Sequence, residues 1–176
     1  MHTAIKEILI SEEQIRNRCA ELGKQISIDY KDKSPVIVGL LKGSVPFMAE
    51  LMKFIEVDCE IDFMDVSSYA GTESVGDVRI DKDLSGSIVG DDIILVEDIV
   101  DTGRTLKTVV KVLKSKGARS VKIVSLLDKP DRRVTDIKAD YCGFTIPNEF
   151  VVGYGLDFNQ KYRNLPYIGI LKEEMY

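Results

Sequence analysis

Residues Ile93 to Thr105 read IILVEDIVDTGRT, and the fold follows from how that stretch is punctuated. Ile93 to Val96 is apolar without alternation, the pattern of a short strand covered on both faces of a parallel sheet. Glu97, Asp98 and Asp101 come next. Thr102, Gly103, Arg104 and Thr105 then open a helix that puts Leu106, Val109, Val110 and Leu113 on one side. Lys107, Lys111, Lys114 and Lys116 lie elsewhere on its surface, and Gly117 stands where a left-handed C-terminal cap belongs. A second apolar run, Val121 to Leu127, completes strand, helix, strand. This is a βαβ crossover, so the chain belongs to the α/β class with a mainly parallel, twisted sheet flanked by helices.

Working outward, Ser11 to about Tyr30 predicts a helix, with Ser11 as N-cap, Gln14 completing a capping box, and Ile15, Cys19, Leu22 and Ile26 at helical spacing. Pro35 marks a break. Pro35 to Leu41 (PVIVGLL) reads as another buried parallel strand, followed by a helix from about Ser44 to Phe54. Between Val57 and Val66 the alternation of CEIDFMDV predicts a strand with one face in solvent. Ser67 to Ser87 is polar and Gly-bearing, with weak strand signals at Val78 to Ile80, and reads as a long, mobile excursion. There is no internal repeat, low-complexity tract or linker, and 176 residues suffice for one good core but hardly for two, so 1–176 is read as a single domain.

Composition narrows the chemistry. A formal net charge of -5 and a pI near 5.0 disfavour a protein built to grip a nucleic-acid backbone, although a small anionic substrate stays possible where a pocket or a metal supplies positive charge. Cys19, Cys59 and Cys142 are odd in number and widely spaced, as expected of reduced, buried thiols in a cytosolic protein. Neither a signal-peptide run nor a membrane span is seen, so a soluble, cytoplasmic protein is expected. The only histidine is His2, at a terminus expected to fray. That excludes Ser-His-Asp and Cys-His hydrolases and histidine-rich zinc sites, leaving carboxylates, Lys, Arg, Tyr and hard metals.

In an open α/β sheet, ligands bind at the carboxyl ends of the strands, where the Glu97 to Thr105 loop must lie. An acidic, solvated turn capped by Thr102 is the plain alternative. The helix start offers free backbone amides, the positive end of a helix dipole, hydroxyls and a glycine that lets a phosphate approach. Carboxylates upstream would repel that phosphate unless they face another part of the ligand. A sugar with hydroxyls and bound magnesium meets both demands. The chain has neither GxxxxGK[ST] nor GxGxxG.

VEDIVDTGRT resembles the signature of the phosphoribosyltransferases, an apolar strand, two adjacent acids and a phosphate loop. That resemblance implies that Glu97 and Asp98 hold the ribose hydroxyls and a magnesium ion, that Asp101, Thr102, Gly103, Arg104 and Thr105 wrap the 5'-phosphate, and that Asp101 is the catalytic base. Leu41-Lys42-Gly43-Ser44 is similar to the loop that binds diphosphate through backbone amides in the purine enzymes, and whether the Leu41–Lys42 peptide is cis is left open. Lys129, in LLDKPDRRV, matches the lysine that recognises a purine 6-oxygen. The segment CGFTIPNEFVVGYGLDFNQKYRNLP resembles the closing motif of the hypoxanthine-guanine type, in which Phe150 stacks on the base, Val151 offers backbone contacts, Asp157 binds near a second magnesium and Arg163 reaches the diphosphate. Without the family, these four read as a core aromatic, a strand valine, a helix cap and a surface charge. Ser68 and Tyr69 resemble the Ser-Tyr pair of a catalytic lid, otherwise a plain hairpin.

The resemblance runs from about Pro35 to Leu171. It implies a lid over about 67–87, a base-binding hood over about 129–171, a hood drawn from C-terminal and N-terminal segments, and a homodimer or homotetramer. The expected partners are 5-phosphoribosyl diphosphate, a 6-oxopurine, IMP or GMP and diphosphate, with magnesium as cofactor and neither nucleic acid nor membrane. A xanthine-preferring transferase and a nucleotide-sensing, RNA-binding regulator of the same fold are the alternatives.

Overall fold

The computed structural model describes residues 1–68 and 78–176. In chain order its elements are β1 (Ile5–Ile10), α1 (Glu12–Asp29), β2 (Val36–Leu41), α2 (Val45–Met52), β3 (Glu60–Ser68), β4 (Val78–Lys82), β5 (Asp92–Val100), α3 (Arg104–Ser115), β6 (Ser120–Asp128), β7 (Tyr141–Thr145), β8 (Val151–Val152) and β9 (Ile168–Leu171). The main sheet has the order β4-β3-β2-β5-β6-β7, parallel except for the edge pair β3/β4, and a small antiparallel sheet has the order β1-β9-β8.

Strand β5 shows why the main sheet is covered twice. Ile94 and Val96 pack with Ile15, Leu22, Phe47 and Leu51 of α1 and α2, whereas Ile93 and Leu95 pack with Leu106, Val109 and Leu113 of α3. A strand that must feed apolar side chains to both faces cannot alternate, which explains the unbroken IILV run. The Ser11 capping box forms as expected, closing the N-terminus of α1. Gly117 adopts φ 95 after α3.

The structure corrects four expectations. First, β5 does not stop at Val96 but runs through Glu97 and Asp98 to Val100, because pairing with β6 continues to Val100↔Asp128. Second, Cys59 is exposed rather than buried, because it lies just before β3, which begins at Glu60. Third, α2 is shorter than Ser44 to Phe54, and the one-sided strand begins at Glu60 rather than Val57. Finally, the terminus does not fray: β1 pairs with β9, and the His2 backbone amide donates to the Tyr167 hydroxyl at 2.8 Å. Its ring also meets that of Tyr162 edge-on. Isolated, β1 lacks a periodicity that distinguishes it from a loop; its partner lies at the other end of the chain.

Strand order places the site. From β2 the chain moves outward to β3, from β5 it moves the opposite way to β6, and β2 and β5 are neighbours. A crevice therefore opens between their carboxyl ends, the switch point at which α/β sheets bind ligands.

Candidate active site

A cavity of about 240 Å³ sits in that crevice, lined by Leu40, Leu41, Val66, Glu97, Ile99, Asp101, Thr102, Gly103, Thr105 and Leu106. The acids and the glycine-bearing helix start thus face one space. The amides of Thr102, Gly103, Thr105 and Leu106 donate to no acceptor among the described residues, while Arg104 N makes only a long contact of 3.4 Å with Thr102 Oγ1. Unspent donors at the start of α3, reached over a glycine with φ 81, make an anion cradle.

On the other wall the Leu41–Lys42 peptide is cis, Lys42 is exposed and Gly43 is buried. Gly43 touches the acidic pair so closely that a Cβ there would overlap the Asp98 carboxylate. Gly155, at φ 102, presses on the Gly43 carbonyl in the same manner. Arg163 donates to Gly155 O at 2.7 Å and lies 2.9 Å from Asp157 Oδ1, and its Nε is enclosed without a partner. Arg163, Gly155, Gly43 and Asp98 therefore form one contiguous chain of contacts from the Asp157 turn to β5. Ser44, named from the sequence only as part of the loop, is fully buried with an unpartnered Oγ.

The electrostatics separate the carboxylates. Burial, reinforced by the adjacent Asp98, pushes the Glu97 carboxyl well above its usual range. No Lys or Arg among the described residues pairs with either acid; Asp98 accepts only from Ile99 N at 2.8 Å and Glu97 from Asp98 N at 3.1 Å. Asp101 Oδ1 is enclosed and unbonded, with Arg132 Nε at 2.9 Å but out of line for a hydrogen bond.

Lys129 is buried just beyond β6 and donates to Glu149 O at 2.5 Å. Burial pulls its pKa down, the Asp101 charge opposes that shift, Arg132 adds to it and Glu149 opposes it. Phe150 is half-exposed, with the Tyr176 ring stacked on it at 4.8 Å and Phe158 edge-on at 5.6 Å; Val151 is buried in β8. Ser68 ends β3, and Tyr69 lies outside the described residues.

Arg132, Arg133, Gly155 and Tyr176 carry no assignment from the sequence, yet each touches a site residue. The doubled arginine just past the end of β6 is the signal that could have found two of them.

These features agree with what the chain is similar to. The phosphoribosyl transferase domain family matches residues 7–159, and the chain belongs to that family. A hypoxanthine-guanine phosphoribosyltransferase of Staphylococcus aureus (strain Mu50) is 56% identical over 100% of this chain and 99% of its own length. The bifunctional protein TilS/HprT of Listeria monocytogenes (serotype 4b) is 53% identical over 100% of this chain, which spans only 27% of that protein. Among solved structures, a hypoxanthine phosphoribosyltransferase from Staphylococcus aureus superposes with a TM-score of 0.96 at 56% identity, covering 100% of this chain and 96% of the other.

Proposed function

We infer that this chain is a purine-salvage transferase that joins hypoxanthine or guanine to 5-phosphoribosyl diphosphate, giving IMP or GMP and diphosphate. The observation that carries this reading is the cavity in which Glu97, one of an acid pair that meets no Lys or Arg among the described residues, stands beside a phosphate cradle with unspent amides, in a member of this family. Neither the fold nor the relatives' names favour a xanthine-preferring enzyme or an RNA-binding regulator. A cytoplasmic location and a homodimer or homotetramer belong with the same reading.

Glu97 and Asp98 fit magnesium: two hard oxygen donors lie together with no counter-charge among the described residues, and Mg²⁺ is commonly held by one or two carboxylates plus substrate oxygens. When bound, the ion supplies positive charge to the diphosphate. Asp157 would bind near a second ion, and must first give up Arg163.

Thr102, Gly103, Arg104 and Thr105 hold the 5'-phosphate through amides and hydroxyls. Lys42, Gly43 and Arg163 receive the departing diphosphate as the bond from ribose C1 to its oxygen breaks. A purine ring nitrogen forms the new bond to C1, and Asp101, near N7, accepts the proton that the base loses. Lys129 donates to the 6-oxygen, Phe150 stacks on the ring and Val151 offers its backbone. The lid, with Ser68 and Tyr69, keeps water from the developing cation. A spectrophotometric assay of hypoxanthine, guanine, xanthine and adenine, each with 5-phosphoribosyl diphosphate and magnesium, tests the reading. Turnover of hypoxanthine or guanine is expected; turnover of adenine alone, or of none, contradicts it.

A further inference from the structure

A phosphate cradle made of backbone amides has a requirement that the amides themselves cannot meet. A trans peptide unit is planar, so its C=O and the next residue's N–H point in opposite directions. For Thr102 and Gly103 to present their N–H groups to an anion, the carbonyls of Asp101 and Thr102 must be held on the far side.

The segment after β6 supplies those anchors. Lys129 N donates to Val100 O at 3.0 Å, and Val134 N donates to Thr102 O at 3.1 Å. Asp101 O receives only one donor among the described residues, Arg133 Nε at 2.9 Å. The same guanidinium donates to Val100 O at 3.1 Å, to Ile137 O and to the Asp128 carboxylate, and its side chain is 12% exposed. Gly103 lies flat against this brace: a Cβ there would overlap Thr135 Oγ1 and come within 3.1 Å of Arg133 Cδ. Arg133 does not line the cavity.

We propose that Arg133 is a positioning residue for the 5'-phosphate: by gripping the Asp101 carbonyl from behind, it turns the Thr102 amide into the cavity. The proposal rests on the transferase reading. Only a guanidinium fits the role, because its fork of donors reaches acceptors on β5, β6 and the loop before β7 at once, whereas an ammonium can keep the Asp128 charge pair but cannot span the set. Asp101 is also the candidate base, so the same grip fixes the backbone from which that carboxylate projects.

The test is steady-state kinetics of Arg133→Lys, with wild type beside it and the melting temperature of each measured. The KM for 5-phosphoribosyl diphosphate should rise about 10- to 100-fold, the scale of a small misplacement of binding groups, while the KM for hypoxanthine changes less than about 3-fold. An unchanged KM for 5-phosphoribosyl diphosphate in the folded variant overturns the proposal. So does a loss in which both KM values rise and kcat falls together with the melting temperature, since that is merely structural damage. Should Arg133→Lys fail to fold, Asp128→Asn loosens the same guanidinium and should raise the KM for 5-phosphoribosyl diphosphate alone, by about 3-fold; no rise overturns the proposal equally. Absence of turnover by wild type would instead sink the transferase reading on which the proposal rests.

Discussion

Strand β5 begins with an acid and carries two more near its other end, and the structure treats them in opposite ways. Asp92, at its start, is buried and fully paired: Arg119 reaches both carboxylate oxygens, the Ser120 hydroxyl donates at 2.6 Å, and Lys33 lies 3.9 Å away. The Arg119 guanidinium, ahead of every other cause, holds its carboxyl down at about 2. Glu97 and Asp98, near the other end, have among the described residues only each other and the backbone, and Glu97 is pushed the opposite way by burial and by Asp98. Charge that is satisfied within the fold serves architecture. Charge left unsatisfied at the carboxyl end of a parallel strand is held ready for a ligand.

The largest effect is expected at Asp101, the carboxylate proposed as the base. Asp101→Asn preserves shape but removes the base, so the chemical step should slow by about 10²-fold or more while IMP still binds. Single-turnover rates read this directly, and an unchanged rate would assign the proton to another group.

Next is Lys129. Its ammonium has donors only, so it can bond a 6-oxo group but meets the 6-amino group of adenine donor to donor. Lys129→Ala should lower activity on hypoxanthine and guanine together and narrow their advantage over adenine by about 10- to 100-fold. The ratio, taken from competing-base assays, is what counts; if it is retained while all rates fall, base selection lies elsewhere in the Phe150 to Asp157 segment.

Stability then tests the two ends against each other. Asp92→Asn should destabilise the fold by roughly 1–2 kcal/mol at pH 7, reduced because Arg119 is largely in solvent, with the KM values unchanged. The folded pKa of Asp92 lies below its unfolded value, so this stabilisation is present above about pH 4 and is lost as the pH falls toward 2. Melting curves of wild type and variant should therefore converge in that window, and a constant gap would argue against the ion pair as its source. Glu97→Gln with Asp98→Asn should have the opposite sign, stabilising the ligand-free protein by about 0.5–2 kcal/mol while weakening binding of the ribosyl diphosphate. Destabilisation of this double variant would mean that the pair is architectural after all.

What the sequence made legible divides along physical lines. Local signals such as the Ser11 capping box, the IILV run and Gly117 identify elements because their causes lie within a few residues. The β5 acids could be named but not placed in a strand, since continuation of β5 past Val96 depends on pairing with β6. Pairing of β1 with β9 and the pressure of Gly155 on Gly43 join residues far apart in the chain, so composition and spacing hold no trace of them, and the doubled arginine after β6 marks Arg133 without showing which carbonyls it grips. Lys129 was legible only through resemblance. Its bond to Glu149 O is a tertiary fact.

The claim at the centre is that the two unpaired acids at the end of β5 stand ready for a cation that the reaction requires. Hypoxanthine turnover measured at increasing magnesium, and again in excess chelator, tests it most directly. The rate should rise to saturation with magnesium and vanish in chelator; full activity of the purified protein in excess chelator would contradict the account.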